Sequence, residues 1–236
     1  MQNTKLRIKR KLKKYLGHYN HLKKGVACKS VWYGQNYAGF FVNPDLIHKN
    51  SIVYSIGIGE NISFDLDIIQ NHNCQVFAFD PTPKSINWVK QQGVISNFNF
   101  NNYGISDKTG YVDFFLPKNP EHVSGSIHNE SSCVNENSKV SVPMKTLSDI
   151  TNELGHNRID VLKMDIEGSE YDVIDDILNS KIEIHQILIE FHDRFFKNGK
   201  QRTMKSISAL KKHGFEIFAV SDTFEEISFI KKSLIS

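Results

Sequence analysis

Short apolar runs alternate with amphipathic segments along most of the 236-residue chain. Runs rich in β-branched and aromatic residues predict strands, and apolar positions spaced three or four residues apart predict helices. The predicted strands are residues 52–56, 75–79, 98–100, 111–116, 140–143, 158–164, 184–191, 215–220 and 226–230. The predicted helices are residues 63–70, 84–92, 147–154, 171–178 and 202–213. Because strands and helices alternate, the pattern predicts an α/β fold with a mostly parallel sheet.

The two final strands differ from the rest because only a short turn separates them. Residues 221–223 connect strand 215–220 to the next strand. Such tight pairing predicts an antiparallel hairpin at the edge of the sheet.

The first predicted strand runs directly into a glycine turn at Gly57 and Gly59. At this place in an open α/β sheet, backbone N–H groups and a helix N-terminus approach an anionic or nucleotide-like ligand, and glycine permits the close approach. A dinucleotide fingerprint would need a third glycine where the sequence has Ile62, and no Gly-Lys-Ser/Thr phosphate loop follows. Small or polar residues recur at every second position, namely Ser55, Gly57, Gly59 and Asn61. This spacing fits better the nucleotide turn of S-adenosylmethionine enzymes.

Asp80 gives a second, independent indication of a nucleotide cofactor. It follows the second predicted strand and lies 23 residues beyond Gly57. An acid about 20 residues beyond the first glycine commonly accepts hydrogen bonds from ribose hydroxyls. The turn and the acid together therefore favour a nucleotide-containing cofactor.

The composition bounds the class of protein. Apolar residues make up 39% of the chain, and no apolar run approaches the roughly 18 residues of a membrane span. No signal peptide is recognisable at the N-terminus. The cysteines are scattered, form no C-x-x-C pair and do not follow a proline; they are Cys28, Cys74 and Cys133. We therefore expect a soluble, cytoplasmic protein without a zinc site or a cytosine-C5 methylation nucleophile.

Positive charge is concentrated at the N-terminus. Residues 1–44 contain ten Lys and Arg and no Asp or Glu, whereas the rest of the chain carries an acidic excess. Residues 1–24 are predicted to form a basic helix with a narrow apolar stripe, made of Leu12, Tyr15, Leu16 and Tyr19. Such a helix could lie on the anionic inner face of a membrane, bind an anionic polymer, or dock its stripe on the body of the protein. We divide the chain into a basic arm, residues 1–30, and a domain, residues 31–236.

A polar stretch from residue 117 to residue 138 is predicted to be a lid or binding loop rather than a disordered connector. Its candidates for contact with a substrate are Ser124, Ser126 and His128. Upstream, Tyr33 lies in an aromatic stretch broken by glycines. That stretch could wall a pocket or merely cap the sheet.

The strand 158–164 runs into an acidic segment that resembles a known family. Residues 162–170, from Leu162 to Glu170, closely resemble the hallmark of the FkbM family of S-adenosylmethionine-dependent O-methyltransferases. Residues 53–65, 76–81 and 189–192 match other blocks of that family in order and spacing. The resemblance covers roughly residues 40–230. It implies a Rossmann-like, seven-stranded methyltransferase fold with an antiparallel edge hairpin.

The resemblance also implies an activity and a set of cofactor contacts. The family often methylates hydroxyls of sugars, surface glycans or other secondary metabolites, which places this chain in polysaccharide or antibiotic biosynthesis. The implied cofactor-binding residues are Ser55, Gly57, Ile58, Gly59, Glu60, Asn61, Asp80, Pro81, Gly104, Ile105 and Asp165. In the family an acid commonly occupies the position of Ser55 and a glycine that of Asn61, and we expect Glu60 to compensate.

Three polar residues are candidates for catalysis because they follow neighbouring strands if the core strand order is 3-2-1-4-5. These are Asp165, Glu190 and His192, with Glu167 as a contact to the acceptor. A sugar hydroxyl needs a base, and we assign that role to His192 or Asp165. The same three side chains could hold Mg²⁺, although we favour a metal-independent transfer. The segment after the strand has its own structural explanation, since Ser169 is predicted to cap the next helix and Glu170 to complement its dipole.

Two other classes of function remain open. The basic arm could belong to a nucleic-acid methyltransferase or binding module, but the acidic body suits a phosphate backbone poorly and no Asn/Asp-Pro-Pro-Tyr motif is present. An NAD-dependent sugar oxidoreductase would need the missing third glycine and a Tyr-x-x-x-Lys pair. The acceptor is predicted to be a small molecule or glycan, and the sequence leaves the oligomeric state open.

Overall fold

The computed structural model describes residues 17–35, 38–118, 125–128 and 134–235. The strands are β1 (Val31–Tyr33), β2 (Phe40–Val42), β3 (Ile52–Ile56), β4 (Gln75–Phe79), β5 (Phe98–Asn101), β6 (Gly104–Ile105), β7 (Gly110–Pro117), β8 (Val134–Lys145), β9 (Arg158–Met164), β10 (Glu183–Glu190), β11 (Phe215–Val220) and β12 (Glu226–Lys231). The helices are α1 (Ser63–His72), α2 (Pro83–Gln91), α3 (Leu147–Leu154), α4 (Glu170–Asn179) and α5 (Gly199–Lys212).

Seven strands form the main sheet in the order β11-β12-β10-β9-β3-β4-β5. Strands β5, β4, β3, β9 and β10 are parallel to one another, and their order confirms the predicted core order 3-2-1-4-5. The final hairpin is also confirmed, since β12 is antiparallel to both β10 and β11. The sheet changes direction of winding between β3 and β9. At such a switch point the carboxyl ends of the strands open a crevice for a ligand.

The central strands carry long apolar runs because helices and loops cover both faces of the sheet. Successive side chains of β3 point to opposite faces. Tyr54 and Ile56 pack in the larger core, whereas Val53 packs in a second core with Phe40 and Phe64. Burial on both faces fixes the position of β3, and with it the place of the glycine turn.

A separate three-stranded sheet, in the order β6-β8-β7, corrects the sequence interpretation. Strand β8 begins at Val134 rather than at residue 140, so residues 134–138 belong to a strand and not to the predicted loop. Its polar residues misled the prediction because several of them face solvent while the strand still pairs with β7. Of the predicted lid, residues 119–124 and 129–133 lie outside the described residues.

Helix α5 departs from the prediction at one face. It starts at Gly199 rather than at residue 202. The helical spacing of Met204, Ile207 and Leu210 predicts that all three point inward, but Met204 is 47% exposed. The buried positions are Gly199, Thr203, Ser206, Ile207 and Leu210. Small polar residues share the inner face of this helix, so the apolar pattern alone assigned Met204 to the wrong side.

The described end of the basic arm packs against the domain. Residues 1–16 lie outside the described residues, including Leu12, Tyr15 and Leu16 of the predicted stripe. Tyr19 stacks on Phe224 with ring centroids 4.1 Å apart, and Leu22 is buried in the larger core. Docking is therefore observed for these two residues, while the boundary at residue 30 stays a prediction. Among the residues the structure describes, no helix has both the length and the apolar character that a bilayer span requires.

Candidate functional site

A cavity of about 400 Å³ opens at the carboxyl ends of β3, β4, β9 and β10. Most of the predicted cofactor residues line it, namely Gly57, Ile58, Gly59, Glu60, Asn61, Asp80, Pro81, Gly104, Ile105 and Asp165. Two further predicted residues line the same cavity, Glu167 and Glu190. The sequence therefore placed the cavity correctly at the switch point of the sheet.

The glycine turn needs glycine for steric reasons as well as for its backbone angles. Gly57 has φ of 75° and Gly59 has φ of 54°, both in the left-handed region. A Cβ atom on Gly57 would lie 1.7 Å from the carbonyl oxygen of Asp165. The turn after β3 and the segment after β9 are thus in direct backbone contact, and any larger residue would push them apart.

Asp80 ties two turns together at the edge of the cavity. One carboxylate oxygen accepts a hydrogen bond from the Gly59 N–H at 2.9 Å. The other accepts from the backbone N–H of Thr82 at 2.9 Å and from its hydroxyl at 2.7 Å. The oxygen that accepts from Gly59 keeps a further lone pair, so the carboxylate can still accept a hydrogen bond from a ligand in the cavity.

A buried charged group beneath the turn escaped the sequence analysis. The ammonium of Lys163, near the carboxyl end of β9, donates a hydrogen bond to the carbonyl oxygen of Gly57 at 2.6 Å. Burial raises the pKa of Asp65 to about 6, while nearby Lys163 and Ser55 oppose that rise. The hydrogen bond from Lys163 therefore holds the turn, and the charge of Lys163 also favours the ionised form of Asp65. A lysine within an apolar run was the available sign of a buried charge.

One prediction about this region needs correction. Ser55 is fully buried and does not line the cavity, because its side chain lies on the opposite face of β3 from Tyr54 and Ile56. Glu60 lines the cavity, with its carboxylate 3.4 Å from Lys84. Its compensation for the missing acid stays a prediction.

We define the acidic rim as Asp165, Glu167, Glu190 and His192. Because β9 and β10 are adjacent, the residues that end or follow them converge at one end of the cavity. The Nε2 atom of His192 lies 3.2 Å from Glu167 Oε2, 3.3 Å from Glu190 Oε1 and 3.7 Å from Asp165 Oδ1. The three carboxylates line the cavity, and the imidazole, 1% exposed, lies behind them.

The rim side chains shift one another's protonation. Enclosure by protein and the neighbouring Glu190 raise the pKa of Asp165 to about 8. Although burial alone would lower it, Glu170 and Glu190 raise the pKa of His192 well above its ordinary value. A protonated imidazolium has no lone pair with which to accept a proton. While it carries that proton, the His192 ring cannot accept another, and the choice between His192 and Asp165 as the base stays a prediction.

Glu170 lies in the first turn of α4, as predicted, and has a second role in the site. It is fully buried, and its carboxylate accepts hydrogen bonds from the backbone N–H of His192 at 2.7 Å and of Gly168 at 2.9 Å. Ser169 makes no capping hydrogen bond with its side chain and lines the cavity instead. Glu170 therefore joins the segments after β9 and β10 and positions the acidic rim.

The described part of the predicted lid, residues 125–128, runs along the cavity. Gly125 and Ile127 line it. Ser126, itself fully buried, exchanges backbone hydrogen bonds with Phe115, so its side chain does not face the cavity as predicted. His128 hydrogen-bonds to Asp172 at 2.6 Å, which holds the segment on α4 rather than presenting the imidazole to a substrate. Ser124 lies outside the described residues.

Tyr33 does not line the cavity, whereas Arg194, which was not predicted, does. Tyr33 is buried against α1, and its hydroxyl lies 2.9 Å from His72 Nε2, so it does not contact the cavity. Arg194, which the sequence analysis missed, lines the cavity and lies 3.4 Å from Glu190 and 3.2 Å from Glu225. Its position follows from the turn after β10, which carries no distinctive sequence pattern.

The strand order, the switch-point cavity and the glycine turn define a Rossmann-like α/β fold with a nucleotide-type cleft. Residues 48–217 match the family described as Methyltransferase FkbM domain, which is more than half of the chain. The chain therefore belongs to the FkbM methyltransferase family, as the motif at residues 162–170 predicted.

This chain matches only part of the length of its curated relatives. Probable methyltransferase-like protein 24 of Homo sapiens is 26% identical over 147 residues, 61% of this chain and 33% of that protein. The 2-O-methyltransferase NoeI of Sinorhizobium fredii is 27% identical over 139 residues, 53% of this chain and 57% of that protein. Among solved structures, the Methanococcus jannaschii fibrillarin pre-rRNA processing protein has a TM-score of 0.45 at 13% identity, covering 78% of this chain and 68% of that chain. Likeness at these values leaves the substrate open.

Proposed function

We propose that this protein is an S-adenosylmethionine-dependent O-methyltransferase that acts on a hydroxyl of a sugar, a glycan or another small metabolite. One observation carries the proposal. A single cavity joins the glycine turn and Asp80 at one end to the acidic rim at the other. That arrangement suits a methyl donor with a nucleoside part and an acceptor that must lose a proton.

The cofactor would follow the lining residues of the cavity. Its amino-acid part would approach the glycine turn, whose path beside the Asp165 backbone only glycine permits at position 57. Its ribose would face Asp80, and its adenine would lie near Gly104 and Ile105. A side chain on Gly104 would collide with Met144, so this part of the wall is close-packed.

The chemistry is an in-line displacement at the methyl carbon. The sulfonium–carbon bond breaks as the oxygen–carbon bond forms, the donor leaves as a thioether, and the hydroxyl proton passes to the rim. Asp165 is the candidate acceptor because it lines the cavity and its pKa, raised to about 8, lies near neutrality. The name of NoeI, a 2-O-methyltransferase, supports oxygen as the methylated atom.

Calorimetry with S-adenosylhomocysteine tests the cofactor assignment. Asp80→Ala should weaken binding by about 1.5–3 kcal/mol, because a hydrogen bond to a charged group contributes that much. Thr82→Val is the matched control, since it removes one hydroxyl that bonds to Asp80 but leaves the carboxylate in place. We expect Thr82→Val to weaken the binding of S-adenosylhomocysteine much less than Asp80→Ala does.

Two results would contradict the assignment. One is unchanged affinity in a folded Asp80→Ala variant. The other is NAD⁺ binding in preference to S-adenosylhomocysteine, which would favour a sugar oxidoreductase instead.

A further inference from the structure

We propose that Asp165, Glu190 and His192 bind a divalent transition-metal ion at the inner end of the cavity. Each residue offers one ligand atom, and the three atoms lie within 4.8 Å of one another. They come from the ends of adjacent parallel strands, so the sheet itself holds them together.

The separations are close to those of atoms that share one ion. Two ligand atoms bound at about 2.1 Å and at right angles lie about 3 Å apart. The Nε2 atom of His192 lies 3.3 Å from Glu190 Oε1 and 3.7 Å from Asp165 Oδ1. Small rotations of the carboxylates, together with release of the proton from the His192 ring, would close the site, because a metal ion displaces the protons of its ligands. Glu167, whose Oε2 lies 3.2 Å from the same nitrogen, could supply a fourth ligand.

The buried imidazole is an independent sign of a site, beyond the acidic cluster. His192 is 1% exposed, and its Nε2 points into the three carboxylates. Its Nδ1 makes no hydrogen bond among the described residues and faces Glu170 Oε1 at 3.4 Å. A histidine between a buried carboxylate and a ligand-facing nitrogen is the usual arrangement behind a protein-bound metal. Glu170 also fixes the backbone of His192, so the ring is positioned from two directions.

The donor set indicates the kind of ion. Mg²⁺ and Ca²⁺ prefer oxygen ligands, whereas imidazole nitrogen suits transition metals. One nitrogen with two or three carboxylates therefore favours Mn²⁺, Fe²⁺ or Zn²⁺ over Mg²⁺. This inference rests on the proposed function and changes one part of it: the ion would hold the acceptor oxygen next to the methyl donor and would favour loss of its proton, with Asp165 as a ligand instead of the proton acceptor. It also departs from the metal-independent transfer that the sequence favoured.

Titration with Mn²⁺, followed by electron paramagnetic resonance, tests the site in the full-length protein after dialysis against EDTA. The signal of free Mn²⁺ should fall until one ion is bound per chain. Asp165→Asn and Glu190→Gln should each raise the dissociation constant at least about tenfold, since even outer-shell changes cost 10–100-fold. Glu183→Gln is the matched control, because Glu183 is an exposed acid at the other end of β10. We expect it to bind Mn²⁺ like the wild type.

Nitrogen coupling to bound Mn²⁺ is measured on the wild-type protein, so this test does not depend on whether a variant folds. Electron spin echo envelope modulation from one imidazole supports the proposal. No saturable Mn²⁺ binding, or equal loss in Glu183→Gln and Glu190→Gln, would overturn it. Calorimetry with S-adenosylhomocysteine on the same EDTA-treated protein separates the two proposals. Intact cofactor binding without Mn²⁺ binding rejects the metal site and leaves the proposed function standing.

Discussion

Gly57 shows how a single residue sets the position of the site. Gly57 and Gly93 have nearly equal backbone angles, with φ of 75° and 74°, but different surroundings. A Cβ atom on Gly93 would meet nothing within 4 Å, whereas on Gly57 it would collide with the Asp165 backbone. The pair therefore separates the cost of the left-handed conformation from the cost of the collision.

We expect Gly93→Ala to lower the free energy of unfolding by about 1–2 kcal/mol, the usual cost of a left-handed non-glycine residue. Gly57→Ala should cost at least twice as much and abolish S-adenosylhomocysteine binding, because the turn must move away from the segment after β9. Chemical denaturation and calorimetry measure the two effects. Equal losses of stability in the two variants would mean that the contact between the two segments is looser than described.

Residues in the site were predictable from the sequence where their type is unusual for their place. Glycines after a strand and acids at strand ends stood out, so Gly57, Asp80 and Asp165 were placed correctly in the cavity. The contacts by which Lys163 and Glu170 organise the site were not predicted, because their partners lie 106 and 22 residues away in the chain. Contacts between residues so far apart in the chain depend on the fold, so a local sequence pattern does not predict them.

Among whole elements, the predictions succeeded where strands are buried on both faces. Strands β4, β9 and β11 have the predicted bounds, because mostly apolar runs end abruptly at a polar residue. Strand β8 was predicted eight residues too short, six of them at its beginning, since its first half pairs with β7 while exposing polar side chains. Pairing between backbones, rather than side-chain pattern, defines that part of the strand.

The segment 125–128 joins two elements across the cavity, and His128 is its attachment to α4. Asp172 accepts from His128 and also lies 3.4 Å from Arg202 of α5. His128→Asn should speed the dissociation of S-adenosylhomocysteine several-fold, because Gly125 and Ile127 would then hold the wall of the cavity less firmly. Stopped-flow displacement measures the rate.

The control for this prediction is Lys139→Ala, which removes an exposed ion pair with Asp113 between β7 and β8. It should leave the dissociation rate unchanged. A His128→Asn protein with wild-type dissociation and an unchanged melting temperature would show that the segment is held by its strand-like pairing with Phe115 alone.

On the scale of the whole molecule, the positive charge of the N-terminal arm is concentrated in its first residues. Residues 1–16 contain seven of the Lys and Arg residues of the arm. Within the described part of the arm, Tyr19 and Leu22 pack against the domain. A deletion that removes residues 1–24 would therefore disturb the core, and the informative deletion ends before Tyr19.

We expect deletion of residues 1–16 to abolish binding to vesicles that contain phosphatidylserine. Each Lys or Arg near an anionic surface contributes about 1 kcal/mol, so seven of them suffice for binding that high salt reverses. Affinity for S-adenosylhomocysteine should not change, because the described lining of the cavity comes from residues 38–194. Co-sedimentation at low and high salt measures the binding.

A full-length variant with those seven residues replaced by Gln controls for length and should behave like the deletion. If full-length protein ignores the vesicles at low salt but binds a single-stranded oligonucleotide, the arm recognises an anionic polymer rather than a membrane.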